Sequence, residues 1–470
     1  MTQQAEETGA APAMPVERDE DYPNPVYAWY VVAVLLVAYV FSFMDRQIIN
    51  LLVEPIKKDM DLTDVQMSLI LGLAFALFHT TFGIPIGWLV DRTKRMNVAA
   101  FGVFFWSLMT ALTAFSRNFW HLFFYRAGVG VGEATLQPAA YSIITDYFPA
   151  RRRGLAMSVF NLGTAIGVAL AMIIGAQIIS FVADAESLHV PFLGEMRSWQ
   201  IVFLIVGLPG ILVAVWVWTL REPIRLGARM SRDAEGNLQQ SNVSFKEFVT
   251  YVRRIWVPFF MVTLSYSLIA MGGYAHSAWM PTFYIRTHEF TAVEIGRWMG
   301  VLSLIFGISG IVMSGWLSDF LIRKGLRNGR MTMLALSGIL AAPFMLAYPL
   351  VPNPYVSLSL LGPLFLATAI TSATWGTVVM EIMPNQMRGI SVAVAILISS
   401  LLGLGMGPTA VALVTDKVFG DPQMLRYSLA IVPTIIFVLS SVLGYVAVRT
   451  YGQGLKSLDL WNAENAKQQV

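Results

Sequence analysis

Apolar stretches of about 20 residues recur along almost the whole chain, separated by short polar breaks. A helix of that length rises ~30 Å and crosses the hydrocarbon of a bilayer with its backbone polar groups bonded internally. The pattern predicts about twelve such spans, near 27–54, 65–90, 97–115, 119–146, 154–182 and 199–220, then near 256–285, 293–319, 331–350, 355–382, 389–415 and 424–449. The composition agrees: 56% of the 470 residues are hydrophobic, 13% are charged and mean hydropathy is +0.62, too apolar for a soluble globular protein. The expected fold is all-α and membrane-embedded.

Basic residues set the expected orientation. Arg92, Lys94 and Arg95 follow span 2, Arg151, Arg152 and Arg153 follow span 4, and Arg323, Lys324, Arg327 and Arg330 follow span 8. The opposite breaks hold Arg117 alone between spans 3 and 4, and no basic residue between spans 9 and 10. Both termini are therefore expected in the cytoplasm. Residues 1–25 are polar and acidic, and read as a disordered cytoplasmic tail rather than a cleavable signal. Residues 26–220 form a first six-span bundle, 221–255 a cytoplasmic linker, 256–450 a second bundle and 451–470 a second cytoplasmic tail. Late in the linker, Val243, Phe245, Phe248, Val249, Val252 and Ile255 fall at helical spacing. That predicts a short amphipathic helix, lying on the inner membrane surface or packed on the bundle ends.

The two bundles repeat one another. Span 2 ends in Gly87-Trp88-Leu89-Val90-Asp91 and span 8 in Gly315-Trp316-Leu317-Ser318-Asp319. Span 4 ends in Asp146-Tyr147-Phe148-Pro149 before Arg153-Gly154, and span 10 in Glu381-Ile382-Met383-Pro384 before Arg388-Gly389. Matching ends fall on one membrane side, as a parallel two-fold repeat requires.

Within this apolar background four ionisable residues stand out. Asp45 and Arg46 lie in span 1, Arg126 and Glu133 in span 4. Arg126 and Glu133 are seven residues apart, hence on one helix face about 10.5 Å apart along the axis. Charges inside hydrocarbon are costly, so such residues face a bundle interior or a watery pathway. Their depths match, which allows Asp45 to pair with Arg126 and Arg46 with Glu133. A static ion pair is one reading. The other is a titratable site, because burial favours a neutral carboxyl and a neighbouring guanidinium favours the ionised form. Arg126 is also suited to a substrate phosphate or carboxylate. The facing spans of the second half offer only His276 at mid-depth, so the pathway is charged on one wall and apolar on the other. That asymmetry suits a substrate with a polar head and an apolar tail.

Gly87, Asp91, Arg92 and Arg95 resemble the loop signature of the major facilitator superfamily, as does the span-4 pattern of Arg126, Gly130 and Gly132. Lys94 stands where that signature has a second Gly, and the span-8 copy keeps only Gly315, Asp319, Arg323 and Lys324. Three runs, FSFMDRQIIN at 41–50, RAGVGVGEATLQPAAYSIITDYFP at 126–149 and RRRGLAMSVFNLGTAIG at 151–167, resemble the Spinster family, with bacterial relatives of sphingosine-phosphate and lysophospholipid carriers. The resemblance implies a bacterial inner-membrane carrier that moves an amphiphilic lipid by alternating access, with proton linkage. A proton-coupled symporter of a small organic anion such as a sugar acid shares much of the span-4 wording. The superfamily also implies that Asp91, Arg92, Arg153, Asp319 and Arg388 latch the halves when the cytoplasmic side is closed.

Other polar residues in the spans have two readings each. His79 and His276 are proton carriers or interhelical hydrogen-bonding groups. Asn161 bonds a neighbour or substrate, and Thr371, Thr374 and Trp375 line the apolar wall or pack ordinarily. Gly272-Gly273 and the run GLGMGP at 403–408 are expected to interrupt spans 7 and 11. Cysteine is absent, which excludes disulfides and thiolate metal sites. No metal-ligand or nucleophile motif is present, and no basic patch outside the short loops, so neither an enzyme, a cofactor nor a nucleic-acid partner is expected. The expected partners are the bilayer, an amphiphilic or anionic small molecule and protons, with the chain a monomer.

Overall fold

The computed structural model describes residues 22–182, 187–190, 194–225, 230–232, 238–240, 245–324, 328–372 and 375–468. Span 1 is Pro25–Gln47, continued by a 3-10 turn at Ile48–Leu51 and a short helix, Val53–Met60. Span 2 covers Asp64–Arg92, span 3 Arg95–Thr113, span 5 Ala150–Val182 and span 6 Ser198–Trp218. Span 4 is broken into Phe119–Glu133 and Leu136–Tyr147. In the second half, span 7 is Trp256–His288, span 9 Gly329–Ala347 and span 12 Leu425–Gln468. Span 8 runs from Ala292 to Arg323, and span 11 covers Arg388–Phe419. Span 10 is described as Pro354–Ser372 and Trp375–Glu381. Among the described residues, ten helices have the length and apolarity to cross a membrane, and span 4 is divided into two shorter helices.

The repeat extends to local structure. Thr63 with Gln66 and Thr291 with Glu294 form capping boxes at the starts of spans 2 and 8, each satisfying helix-end amides. Asn118 and Asn353 accept backbone hydrogens at the starts of spans 4 and 10. Both span 2 and span 8 carry a π-helical turn, at Leu69–Leu73 and Ser303–Gly307.

Several expectations change. Span 7 runs unbroken through Gly272-Gly273: Gly272 lets the Phe437 ring of span 12 approach to 3.0 Å of where a Cβ would sit, so it serves packing. Span 11 does deform at its Gly run, with a π-helical turn at Ser400–Met406. The expected tail 451–470 is helical to Gln468, because Trp461 packs edge-on against Tyr251 and Glu464 pairs with Arg254. The linker helix, Phe245–Arg254, is packed on the bundle end: Phe248 and Tyr251 are buried, and the Tyr251 hydroxyl donates to Ile382 O at the end of span 10. Two short hairpins, β1–β2 (Ser187–Val190, Gly194–Arg197) and β3–β4 (Met230–Arg232, Leu238–Gln240), lie between spans. Residues 1–21, and with them most of the expected first tail, lie outside the described residues.

The core shows how the halves meet. One apolar cluster is drawn mainly from the first half, with Val31, Leu35, Val103, Trp106, Ile143 and Phe160, and reaches Leu404 of span 11. A second fills the second half and continues into the first through Ile48, Leu51, Leu122 and Phe203, all at the end away from the termini. There span 8 lies directly on span 5: a Cβ on Gly296 or Gly300 would sit 2.8 or 3.0 Å from the carbonyls of Met172 and Ala169. At the terminal end, by contrast, Gly87, Gly154 and Gly389 face nothing within 4 Å. Among the described residues, the halves are joined at one end and parted at the other.

Candidate functional site

Spans 1, 2, 3 and 4 build the charged centre. Span 4 lies against span 2 at Gly130, where a Cβ would be 2.6 Å from Phe75 O. This contact brings Arg126 and Glu133 alongside the last turns of span 1. Arg46 and Glu133 form an ion pair, and Ser42 Oγ donates to the same Glu133 Oε2 at 2.7 Å. The Arg46 guanidinium also lies 4.3 Å over the Phe75 ring and 4.7 Å over that of Phe43, where the ring faces favour a cation.

Asp45 and Arg126 adopt a different arrangement from the expected side-chain pair. Arg126 Nη1 donates to the main-chain carbonyl of Asp45 at 3.1 Å and Nη2 to that of Arg46 at 3.4 Å. Span 1 tightens into its 3-10 turn at Ile48, and carbonyls at an α-helix end lack their usual donors, which the guanidinium supplies. Asp45 Oδ2 instead accepts from Thr110 Oγ1 of span 3 at 3.2 Å. Asp45 Oδ1, Arg46 Nε, Arg126 Nε and Glu133 Oε1 are buried and make no hydrogen bond among the described residues.

The remaining polar residues divide between the halves. His79 Nδ1 meets Gly130 O at 3.1 Å, beside the centre and stacked on Phe75. Asn161 accepts from the Tyr141 hydroxyl at 2.9 Å, and Gln137 donates to that hydroxyl at 3.1 Å, a chain absent from the sequence reading apart from Asn161. His276 is enclosed within the second half: its Nδ1 lies 2.9 Å from the Tyr348 hydroxyl, with the Phe365 ring beside it. Trp375 stacks on Tyr266 at 4.2 Å and 10°. The Thr371 side chain and the whole of Thr374 lie outside the described residues.

At the terminal end, the described contacts of the expected latch lie within each half. Arg225 holds the carbonyls of Val90, Asp91 and Thr93, and Arg92 lies 4.2 Å over Trp88. Arg153 Nε donates to Phe148 O at 3.3 Å and Arg388 Nε to Met380 O at 3.1 Å. The side chain of Asp319 is outside the described residues. Sequence reading missed two repeat-related ion pairs here. Buried Arg95 pairs with Asp146 and, at 2.7 Å, with Glu222. Its counterpart Arg330 pairs with Glu381, which also accepts from the Tyr451 hydroxyl. The signal was present, since Arg95 and Arg330 recur at the same offset as Asp146 and Glu381. It also missed Arg286, at the end where the halves join.

Two six-span bundles related by a parallel repeat, joined at one end, with a charged centre in the first of them, define a carrier that exposes a central site alternately to each side. The comparisons agree: a family model described as Major Facilitator Superfamily matches residues 35–408, and the chain belongs to that family. A solved bacterial homologue of the human lysosomal transporter Spinster, inward-facing and unoccupied, superposes with a TM-score of 0.75 at 26% identity, covering 93% of this chain and 98% of that one. Protein spinster of Drosophila melanogaster is 22% identical over 400 residues, 83% of this chain and 62% of that protein. The probable L-galactonate transporter of Escherichia coli (strain K12) is 25% identical over 358 residues, 73% of this chain and 74% of that protein. The protein is an integral membrane transporter that resembles Spinster.

Proposed function

We propose that the protein carries an amphiphilic lipid of the lysophospholipid or sphingolipid kind, with proton linkage, in a bacterial inner membrane with both termini cytoplasmic. The carrying observation is the buried cluster of Asp45, Arg46, Arg126 and Glu133 on the first-half wall. An anionic or zwitterionic headgroup competes with Glu133 for Arg46 and with the span-1 carbonyls for Arg126. Protonating Glu133 removes the anionic partner of Arg46 and releases that guanidinium. The second half supplies the apolar wall, with His276 withdrawn into its interior. The likeness to solved Spinster homologues supports this reading. In the state described here the parted terminal end then faces the cytoplasm, and Asp91, Arg153, Asp319 and Arg388 engage across the halves only after that end closes.

The second reading, a proton-coupled carrier of a sugar acid, is supported by the relatives named as galactonate and galactarate/glucarate transporters. Proteoliposome uptake separates the two. Affinity for lysolipids is expected to rise with acyl-chain length, since each buried methylene contributes about 0.8 kcal/mol. Uptake of galactonate with no response to lysolipid would overturn the lipid reading.

A further inference from the structure

From the charged centre toward the parted end, span 4 carries a second set of polar side chains, and these bear no charge. Glu133, Gln137 and Tyr141 follow at intervals of four residues, so Gln137 and Tyr141 lie about 6 and 12 Å beyond Glu133 along the span. The Tyr141 hydroxyl accepts from Gln137 Nε2 at 3.1 Å and donates to Asn161 Oδ1 of span 5 at 2.9 Å. Asn161 Nδ2 gives one hydrogen to Met157 O at 2.9 Å, one turn back on its own helix. The Tyr141 ring stands edge-on to Phe160, which stacks on Tyr39 of span 1, so three spans hold the set in place. Gln137 and Tyr141 are half-buried and Asn161 is exposed. Helix geometry gives the direction of that exposure. Asn161 stands eleven residues, about three turns, before Met172, so both lie on one face of span 5. At Met172 this face is covered by Gly296 of span 8. At Asn161 it is uncovered, and the amide opens between the halves.

We propose that Gln137 and Asn161, bridged by Tyr141, form a subsite for hydroxyl groups that the substrate carries beside its anion. The proposal rests on the reading that Arg46 and Arg126 take that anion. The count of donors and acceptors points to hydroxyls. Tyr141 spends its one hydrogen on Asn161 and is itself reached by Gln137. Each amide is then left with one hydrogen to give and an oxygen that can accept. A hydroxyl does both, so two hydroxyls on adjacent carbons match the two amides. A trimethylammonium head offers neither a hydrogen nor a lone pair, and displaces water from the amides without replacing its bonds. An ammonium head offers hydrogens only and leaves the amide hydrogens unmatched. The spacing agrees, because hydroxyls on a short polyol lie a few ångströms from its anion, comparable with the ~6 Å step from Glu133 to Gln137. Two sources share this chemistry, the glycerol headgroup of an anionic lysolipid and a free sugar acid. The lysolipid alone also uses the apolar wall.

The test is binding to the full chain in nanodiscs. The probes are lysophosphatidylglycerol, lysophosphatidylethanolamine and lysophosphatidylpropanol of one acyl chain, the last keeping the charge and carbons of the glycerol ester without its hydroxyls. Galactonate is compared with hexanoate in the same way. The unsubstituted chain is expected to bind the glycerol ester about tenfold more tightly than the propanol ester, because a site built for hydroxyls is left unpaired by the analogue that lacks them. Gln137→Met and Asn161→Leu keep the side-chain size and remove the amide, and each should bring that ratio close to one. Arg126→Lys should weaken both phosphodiesters alike and keep the ratio, which separates the anion site from the hydroxyl subsite. If the amide variants fail to fold, Tyr141→Phe, which removes only the bridging hydroxyl, should lower the same ratio. Equal binding of the glycerol and propanol esters, tighter binding of the ethanolamine ester, or a ratio that survives all three substitutions would overturn the subsite and leave the lipid reading standing. Tighter binding of galactonate than hexanoate, with no lysolipid bound, would support the subsite and overturn the lipid reading. Binding of none of the five probes would overturn both.

Discussion

At the scale of single residues, the charged centre is decided by where each hydrogen-bonding atom ends. Glu133 holds Arg46 through one oxygen and leaves the other without a partner, while Asp45 is reached by a hydroxyl rather than a cation. Asp45→Asn and Glu133→Gln keep the side-chain shape and remove only the charge. Each is expected to fold and to flatten the dependence of transport on pH; curves coinciding with wild type would make both carboxylates structural. Arg126 binds two carbonyls with a fork that a lysine lacks. Arg126→Lys is therefore expected to reduce transport at least tenfold while leaving expression intact, measured as uptake per folded carrier.

At the scale of elements, span 4 is positioned by glycine and span 12 by aromatic contacts. A Cβ at Gly130 would meet Phe75 O at 2.6 Å and the His79 amide at 3.2 Å. Gly130→Val is expected to separate spans 2 and 4 and destabilise the protein by about 1–3 kcal/mol, read as a lowered unfolding temperature in detergent. The helical extension of span 12 rests on the linker helix through Trp461 and Tyr251, whose rings are 5.1 Å apart and nearly perpendicular. Trp461→Ala is expected to cost about 0.5–1.5 kcal/mol and to raise proteolysis of the linker. Cleavage at the wild-type rate would show that the extension does not hold it.

At the scale of the whole molecule, the halves are joined away from the termini and, among the described residues, parted beside them. The proposed latch belongs to the opposite state, so its loss should favour the arrangement described here. Replacing both Asp91 and Asp319 with Ala is expected to lengthen spin-label distances between the terminal ends of spans 4 and 10. Unchanged distances with and without substrate would remove these residues from the latch.

The sequence by itself determined the membrane fold, the twelve spans, the two-fold repeat and the depth of the four charged residues. Each follows from a property that survives without tertiary contacts: runs of apolar residues, basic loops, matched helix ends and a fixed rise per residue. The pairing of Arg46 with Glu133 was legible for the same reason, because both are intramembrane ions at matched depth. Only the tertiary structure decided that Arg126 serves carbonyls instead of Asp45, since a helix-end change at Ile48 leaves no periodic trace. It alone withdrew His276 into the second half and kept span 7 continuous at Gly272-Gly273. It alone brought Arg286 to Asp64. Residues so far apart in sequence meet through the packing of one half on the other, which span length, charge and spacing within a single half do not specify.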